Sequence, residues 1–222
     1  MKQHMPPRIP TDGKHYSVLY DAARDVQEVL GLSCEIGLRR GGGTQYMIDG
    51  LTGGATDYYA NTGKHLKPIR THIAIDPYGG IPYYEMENKL RTDESYPNDM
   101  MKEALADLYL YVQKKPINFL FFPMEDTMFF DRFHNGIPVY GDGIRQIVNE
   151  YALVYFDGPH TVKKTLEETY FFHDRTQKGS MFVYDNVAGY YDHDKVNDFL
   201  LKNGWEEVNK NSYKASYRKI AP

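Results

Sequence analysis

Several things are scarce in this sequence. Its 222 residues hold one cysteine, Cys34, and one tryptophan, Trp205. A single cysteine excludes an internal disulfide and suits a reducing compartment, so a cytoplasmic protein is expected. No apolar run is long enough to span a bilayer, and the opening MKQHMPPRIP lacks the apolar stretch of a secretion signal. Basic residues are scattered in clusters no denser than pairs such as Arg39-Arg40 and Lys163-Lys164, and the net charge is −4. That leaves no electrostatic footprint for nucleic acid or an anionic membrane, so neither is expected as a partner. No internal repeat or low-complexity tract divides the chain, and residues 1–222 fit one domain with a proper core. Tyrosine, by contrast, is plentiful, with 20 residues, many of them within 83–111 and 151–191.

Apolar spacing predicts an N-terminal arm and helix within residues 1–30, the helix running over 14–30 through Tyr16, Leu19, Tyr20, Ala23, Val26 and Leu30. Asp12 is its candidate cap and Gly31 its stop. A strand, LSCEI, leads into the glycine-rich GLRRGGGT and a helix-like TQYMIDGL; residues 52–70 are polar and turn-rich. THIAID (71–76) reads as a strand, and the aperiodic 77–98 has the length of a lid or binding loop. A helix through Met101, Leu105, Leu108, Tyr109 and Val112, a buried strand INFLFFP and a short helix TMFFDRF follow. Beyond the turn-rich HNGIPVYGDG, the spacing in IRQIVNEY is helical. The strand ALVYF, a helix over 161–176, a strand over 181–185 and a helix through Val196, Phe199 and Leu200, stopped at Gly204, come next. WEEV and SYKASYRKI close the chain around a turn at Asn209, Lys210 and Asn211. Tyr213, Ala215 and Tyr217 alternate with Lys214, Ser216 and Arg218, the pattern of a half-buried strand.

Strands alternating with helices predict an α/β fold, a parallel sheet with helices on both faces. A three-residue turn joins only antiparallel strands, so the last pair is a hairpin. In such sheets ligands bind outside the carboxyl ends of the strands. The first such end is EIGLRRGGGT. It fails the phosphate-loop pattern, having no lysine after its glycines, and the dinucleotide pattern, having Arg39 where a glycine is needed. An acid, one residue, a glycine and further glycines resemble the first motif of the class I S-adenosylmethionine-dependent methyltransferases; a solvated glycine turn is the plainer reading. That resemblance implies a three-layer α/β/α sandwich with a seven-stranded, mostly parallel Rossmann-like sheet. It also implies that Glu35, Gly37 and Gly41 border the cofactor S-adenosyl-L-methionine. Asp76 at the second strand end would hold the ribose hydroxyls, unless it only starts a turn before Pro77. Glu125 or Asp126, ending the third strand, would meet the adenine.

Two further strands end in acids, FDGPH at 156–160 and YDN at 184–186. Asp157, Asp185 and the amide oxygen of Asn186 make a hard oxygen set suited to Mg²⁺. Their spacing resembles the metal triad of the catechol-type O-methyltransferases, and DGPHTVKKTLEE resembles the DG-x-H stretch of the macrolide and aminocoumarin sugar O-methyltransferases. The plainer reading is that Asp-Gly and Asp-Asn make good turns. Asp157 would also border the cofactor. His160 stands where the catechol type has a lysine base, so it would take the acceptor's proton; its alternative role is to cap the helix behind it. The resemblance covers roughly residues 31–222 and is weakest across 77–116 and 134–150. It implies metal-assisted O-methylation of a small-molecule acceptor. The alternatives are a non-catalytic nucleoside- or sugar-binding domain and a nicotinamide-dependent oxidoreductase. The tyrosines of 83–96 suit substrate stacking, packing or the subunit contact of a homodimer. Cys34 and Trp205 are expected in the core.

Overall fold

The strand β1 (Leu32–Ile36) is buried at every position, which requires cover on both of its faces. The computed structural model that shows this describes residues 9–11, 13–53, 70–92, 96–141 and 144–221. The candidate cap Asp12 and most of the polar 52–70 stretch lie outside the described residues. In chain order the elements are α1 (Ser17–Asp25), β1, α2 (Gly42–Thr52), β2 (Arg70–Ile75), β3 (Tyr83–Met86), β4 (Lys89–Arg91), α3 (Asn98–Val112), β5 (Ile117–Phe122) and α4 (Asp126–Phe133). They continue as β6 (Ile137–Gly141), β7 (Ile144–Val148), β8 (Tyr151–Phe156), α5 (Val162–His173), β9 (Thr176–Tyr184), α6 (His193–Lys202), β10 (Trp205–Lys210) and β11 (Ala215–Lys219).

Seven strands form one sheet in the order β10-β11-β9-β8-β1-β2-β5. From β9 to β5 all pairs are parallel, and β11 runs antiparallel to both of its neighbours. This is the expected three-layer sandwich with a terminal hairpin. One face packs under α1, α2 and α3, with Leu19, Ala23, Met47 and Leu108 against Tyr155, Met181 and Val183. The other packs under α4, α5 and α6, with Phe129, Phe172 and Leu200 against Cys34, Phe156 and Phe182. Trp205 is buried and stacks on Phe182, their ring centroids 4.0 Å apart. Strand order reverses between β1 and β8, so the switch point where such sheets bind ligands lies at the carboxyl ends of these two strands.

Several expectations fail locally. The first helix stops at Asp25, because Gln27 N–H donates to Arg24 and Val29 N–H to Val26 in successive turns. Leu30 is consequently 64% exposed. Within 77–98, β3 and β4 pair as a hairpin; both strands are at least partly exposed at every position, so no apolar period marks them. IRQIVNEY is not helical: β7 pairs with β6. Ile144, Ile147 and Val148 imitate helical spacing, and the partner strand overrides it. The closing turn falls after Lys210, where the Asn211 carboxamide accepts from the N–H groups of Tyr213 and Lys214. Finally, β11 is not half-buried. Lys214 and Ser216 are as buried as Ala215 and Tyr217, because a strand inserted between two others under helices leaves only Arg218 partly exposed. Among the described residues no helix is long and apolar enough to cross a membrane.

Two histidines are packed into this core. His72 pairs with Ser33 through Nδ1, and burial pushes its pKa down to about 3. His193 lies between the hydroxyls of Tyr191 and Tyr217, and burial lowers its pKa to about 4. In the unfolded chain both protonate near pH 6.5. The folded state therefore binds fewer protons below that pH, and their contribution to stability is lost as pH falls from about 6.5 towards the folded values. Urea unfolding should show the advantage of the parent over His72→Gln shrinking by about 1 kcal/mol between pH 6 and pH 5. A constant difference would mean that His72 charges in the fold.

Candidate active site

Four ladder hydrogen bonds continue past the strand ends and draw the key residues onto one edge. Gly37 N–H donates to Ile75, Asp76 N–H to Phe122, Asp157 N–H to Ile36 and Asp185 N–H to Phe156. Gly37 sits at φ +88°, and a Cβ there would lie 2.1 Å from the Asp157 carbonyl oxygen. Only glycine permits the ends of β1 and β8 to come this close. Two non-glycine residues beside it, Arg39 at φ +49° and Tyr78 at φ +48°, also adopt left-handed geometry. The Asp76 carboxylate fixes both, accepting from Arg39 N–H at 2.9 Å and Tyr78 N–H at 3.0 Å. The Tyr78 hydroxyl closes the circuit by donating to the Arg39 carbonyl. Burial raises the Asp76 pKa against the pull of these donors. The backbone N–H of Leu38 is a further partner, and these donors leave part of the carboxylate's roughly four acceptor positions for others.

These ends open into a cavity of about 800 Å³. Gly37, Asp76, Glu125, Asp126, Asp157, His160, Asp185 and Asn186 all line it. Glu35 and Gly41 do not. Glu35 turns beneath α2, where Thr44 Oγ donates to its carboxylate. Gly41 caps α2 at φ +83°, and a Cβ there would strike Leu108 at 2.7 Å. Asp126 opens α4 from the cavity wall; burial raises its pKa and that of Glu168 behind it. Tyrosines form much of the remaining wall, among them Tyr83, Tyr84, Tyr96 and Tyr190.

Asp157, His160 and Asp185 each bring one ligand atom within 4.8 Å of the others. Ligands at roughly 2.0–2.6 Å on opposite sides of one cation span that distance, so the group fits a divalent ion. Asn186, at φ +52°, donates through Nδ2 to His160 Nε2 at 2.7 Å, so its amide oxygen is not used by the imidazole. His160 Nε2 lies 3.8 Å from Asp157 Oδ1, and the ring is flanked by Tyr190 and Tyr191. Burial lowers the His160 pKa to about 4, which keeps the imidazole neutral at ordinary pH. Burial, and then the neighbouring Asp185, push the Asp157 carboxyl well above its usual range. Thr161, not His160, caps α5, accepting from Lys164 N–H at 3.3 Å.

Two members of this constellation escaped the sequence reading. Lys214 is 1% exposed, and its ammonium donates to Asp185 Oδ1 and, at 2.7 Å, to the Tyr155 hydroxyl. Tyr155 in turn donates to Asp157 Oδ2 at 3.0 Å. The usable signal was topological. A hairpin strand inserted next to β9 must carry its polar residues indoors, opposite the acids at the end of β9.

No protein-family model matches the chain, and no curated protein matches it. Solved structures do match it by fold. CalS11, a calicheamicin methyltransferase, superposes with a TM-score of 0.58 at 16% identity, over 91% of this chain and 76% of that one. The O-methyltransferase TomG from Streptomyces achromogenes, involved in tomaymycin synthesis and solved in complex with SAM, gives 0.55 at 11% identity, over 97% and 83%. An O-methyltransferase from Bacillus cereus in complex with SAH gives 0.55 at 9% identity, over 96% and 84%. The chain therefore shares the methyltransferase fold of these structures, a mostly parallel seven-stranded sheet closed by an antiparallel hairpin.

The β1–β8 approach makes its own demand. Gly37→Ala adds both a clash with backbone and a strained φ, and should lower stability by roughly 2–4 kcal/mol in thermal or urea unfolding. A loss below about 0.5 kcal/mol would mean that the two strand ends part easily.

Proposed function

We propose that the protein is an S-adenosylmethionine-dependent O-methyltransferase acting with a divalent cation, Mg²⁺ by its ligand chemistry, on a small-molecule hydroxyl. The observation that carries this reading is one cavity, at the switch point of a class I fold, holding Asp76 on one side and the Asp157, His160 and Asp185 group on the other. Asp76 would take the cofactor's ribose hydroxyls with its remaining acceptor positions, and Asp126 or Glu125 its adenine. Gly37 lets the backbone approach the methionine part, while Glu35 and Gly41 shape that loop from below. Asp157, Asp185 and the Asn186 amide oxygen would hold the cation, whose charge lowers the pKa of the acceptor hydroxyl when bound. When bound, the cofactor would supply an electrophilic sulfonium methyl for the acceptor oxygen, and neutral His160 would receive the proton that the acceptor hydroxyl gives up. Positioning and charge control supply most of the rate in such a displacement. The 77–98 segment, with its hairpin and tyrosines, would cover the acceptor; aromatic walls with scattered polar groups suit a sugar or a phenol. A lone, buried thiol at Cys34 is consistent with work in the cytoplasm.

Calorimetry should show binding of S-adenosylhomocysteine to the parent and about ten- to hundredfold weaker binding to Asp76→Ala, the loss of roughly 1.5–3 kcal/mol in charge-assisted hydrogen bonds. Equal affinities would remove Asp76 from the cofactor site.

Chelator should suppress turnover of an acceptor identified by screening phenols, sugars and glycosylated metabolites with labelled cofactor. Asp157→Asn and Asp185→Asn should abolish the metal-dependent rate while leaving cofactor affinity largely intact. His160→Ala should lower the maximal rate about 10²–10⁴-fold and remove the acid limb that the parent shows as pH falls through about 4. Full activity in chelator would eliminate the cation, and an unchanged pH profile would eliminate the base.

A further inference from the structure

Lysine is almost never fully buried without a partner, yet Lys214 has 1% of its surface exposed and lies beside the acidic group. The register explains how it gets there. Ala215 pairs with Tyr184 across the antiparallel β11–β9 ladder, so the next residues outward, Lys214 and Asp185, face each other. The ammonium holds Asp185 directly and reaches Asp157 through the Tyr155 hydroxyl. It also lies over two rings, 5.1 Å from the Tyr16 centroid and 4.9 Å from that of Tyr155. Among the described residues its ammonium donates to Asp185 and to the tyrosine that links that acid to Asp157. Asp157 and Asp185 line the cavity, and Lys214 is not among its lining residues.

We propose that Lys214 is the resident cation of this site: it offsets part of the negative charge of the Asp157–Asp185 pair in the free protein, and its field weakens the hold of the same acids on a divalent ion. The inference rests on the metal-assisted reading above. Two carboxylates facing one ammonium and one divalent ion leave an excess of positive charge, which a sulfonium increases. An acceptor oxygen that gives up its proton supplies the missing negative charge. Lys214 thus favours loading of the ion together with the acceptor over tight loading of the empty site. As a positioning residue it touches neither the cofactor nor the acceptor.

The sign of its removal follows from charge. An ion of charge two feels the loss of the lysine's field twice, whereas a proton taken up by the acids in its place feels it once. Net affinity for the ion must therefore rise when the lysine charge goes.

The probe is Mn²⁺ alone, titrated into the full chain without cofactor or acceptor and followed by electron paramagnetic resonance. Lys214→Met should bind Mn²⁺ at least about tenfold more tightly than the parent, and Lys214→Arg, which keeps the charge, within about threefold of it. Melting of Lys214→Met should drop in chelator and recover with Mn²⁺, a dependence that lost packing alone would not produce. If Lys214→Met does not fold, Lys214→Gln, which keeps a donor and loses the charge, should show the same tightening. Unchanged or weaker binding in a folded neutral variant overturns the inference while leaving the metal-assisted reading intact. Binding in the neutral variants alone, with a silent parent, supports the inference and removes the ion from the parent's reaction. Silence in every variant overturns both.

Discussion

No side chain fits between the ends of β1 and β8. The hydrogen of Gly37 occupies space that a methyl group would contest with the Asp157 carbonyl, 2.1 Å from where its carbon would stand. That constraint fixes the distance between the first strand end and the fourth, and hence between the loop held by Asp76 and the loop that carries Asp157 and His160. Because the ladder continues for one residue beyond each strand, the placement is a backbone matter. The side chains inherit positions already set by peptide hydrogen bonds, which hold groups more tightly than loop side chains alone would.

The polar groups below the cavity are arranged against the tendency of buried charge to neutralise itself. Two acids within ligand distance of each other repel, and burial makes the repulsion worse. Lys214 and the Tyr155 hydroxyl provide the opposite charge and the donor that water would otherwise supply. His160, by contrast, is kept neutral by its surroundings. Acid, ammonium and neutral imidazole thus coexist within a few residues' reach because each has a different neighbour.

How much of this was legible depends on what each residue answers to. LSCEI was readable because both faces of β1 are covered, so burial needs no periodicity to reveal it. Asp76, Asp157 and Asp185 were readable because an acid that ends an apolar strand stands out. Lys214 was not: the period-two rule assigns alternate residues to water, and that assumption lapses in a strand inserted between two others under helices. Tyr155 was hidden inside an apolar run whose chemistry lies in a single hydroxyl. The β6–β7 hairpin was misread because Ile144, Ile147 and Val148 carry helical spacing, while its fold is decided by a partner strand that local spacing does not register. Glu35 illustrates the opposite case, a residue noticed through a motif whose carboxylate serves the helix above it and lies off the cavity wall.

The position of β11 has a consequence for the order in which the molecule comes into being. It follows β10 in the chain yet lies between β10 and β9, so a ribosome delivers the outer strand before the inner one. Until residues 215–219 emerge, β9 is a sheet edge, β10 has no strand to pair with, and Asp185 lacks the ammonium that belongs opposite. The growing chain can assemble the five parallel strands and the glycine loop early, but the charged floor of its cavity closes last. A nascent protein is thereby left with an open sheet and an incomplete site until its hairpin inserts, and both defects are repaired in the same step.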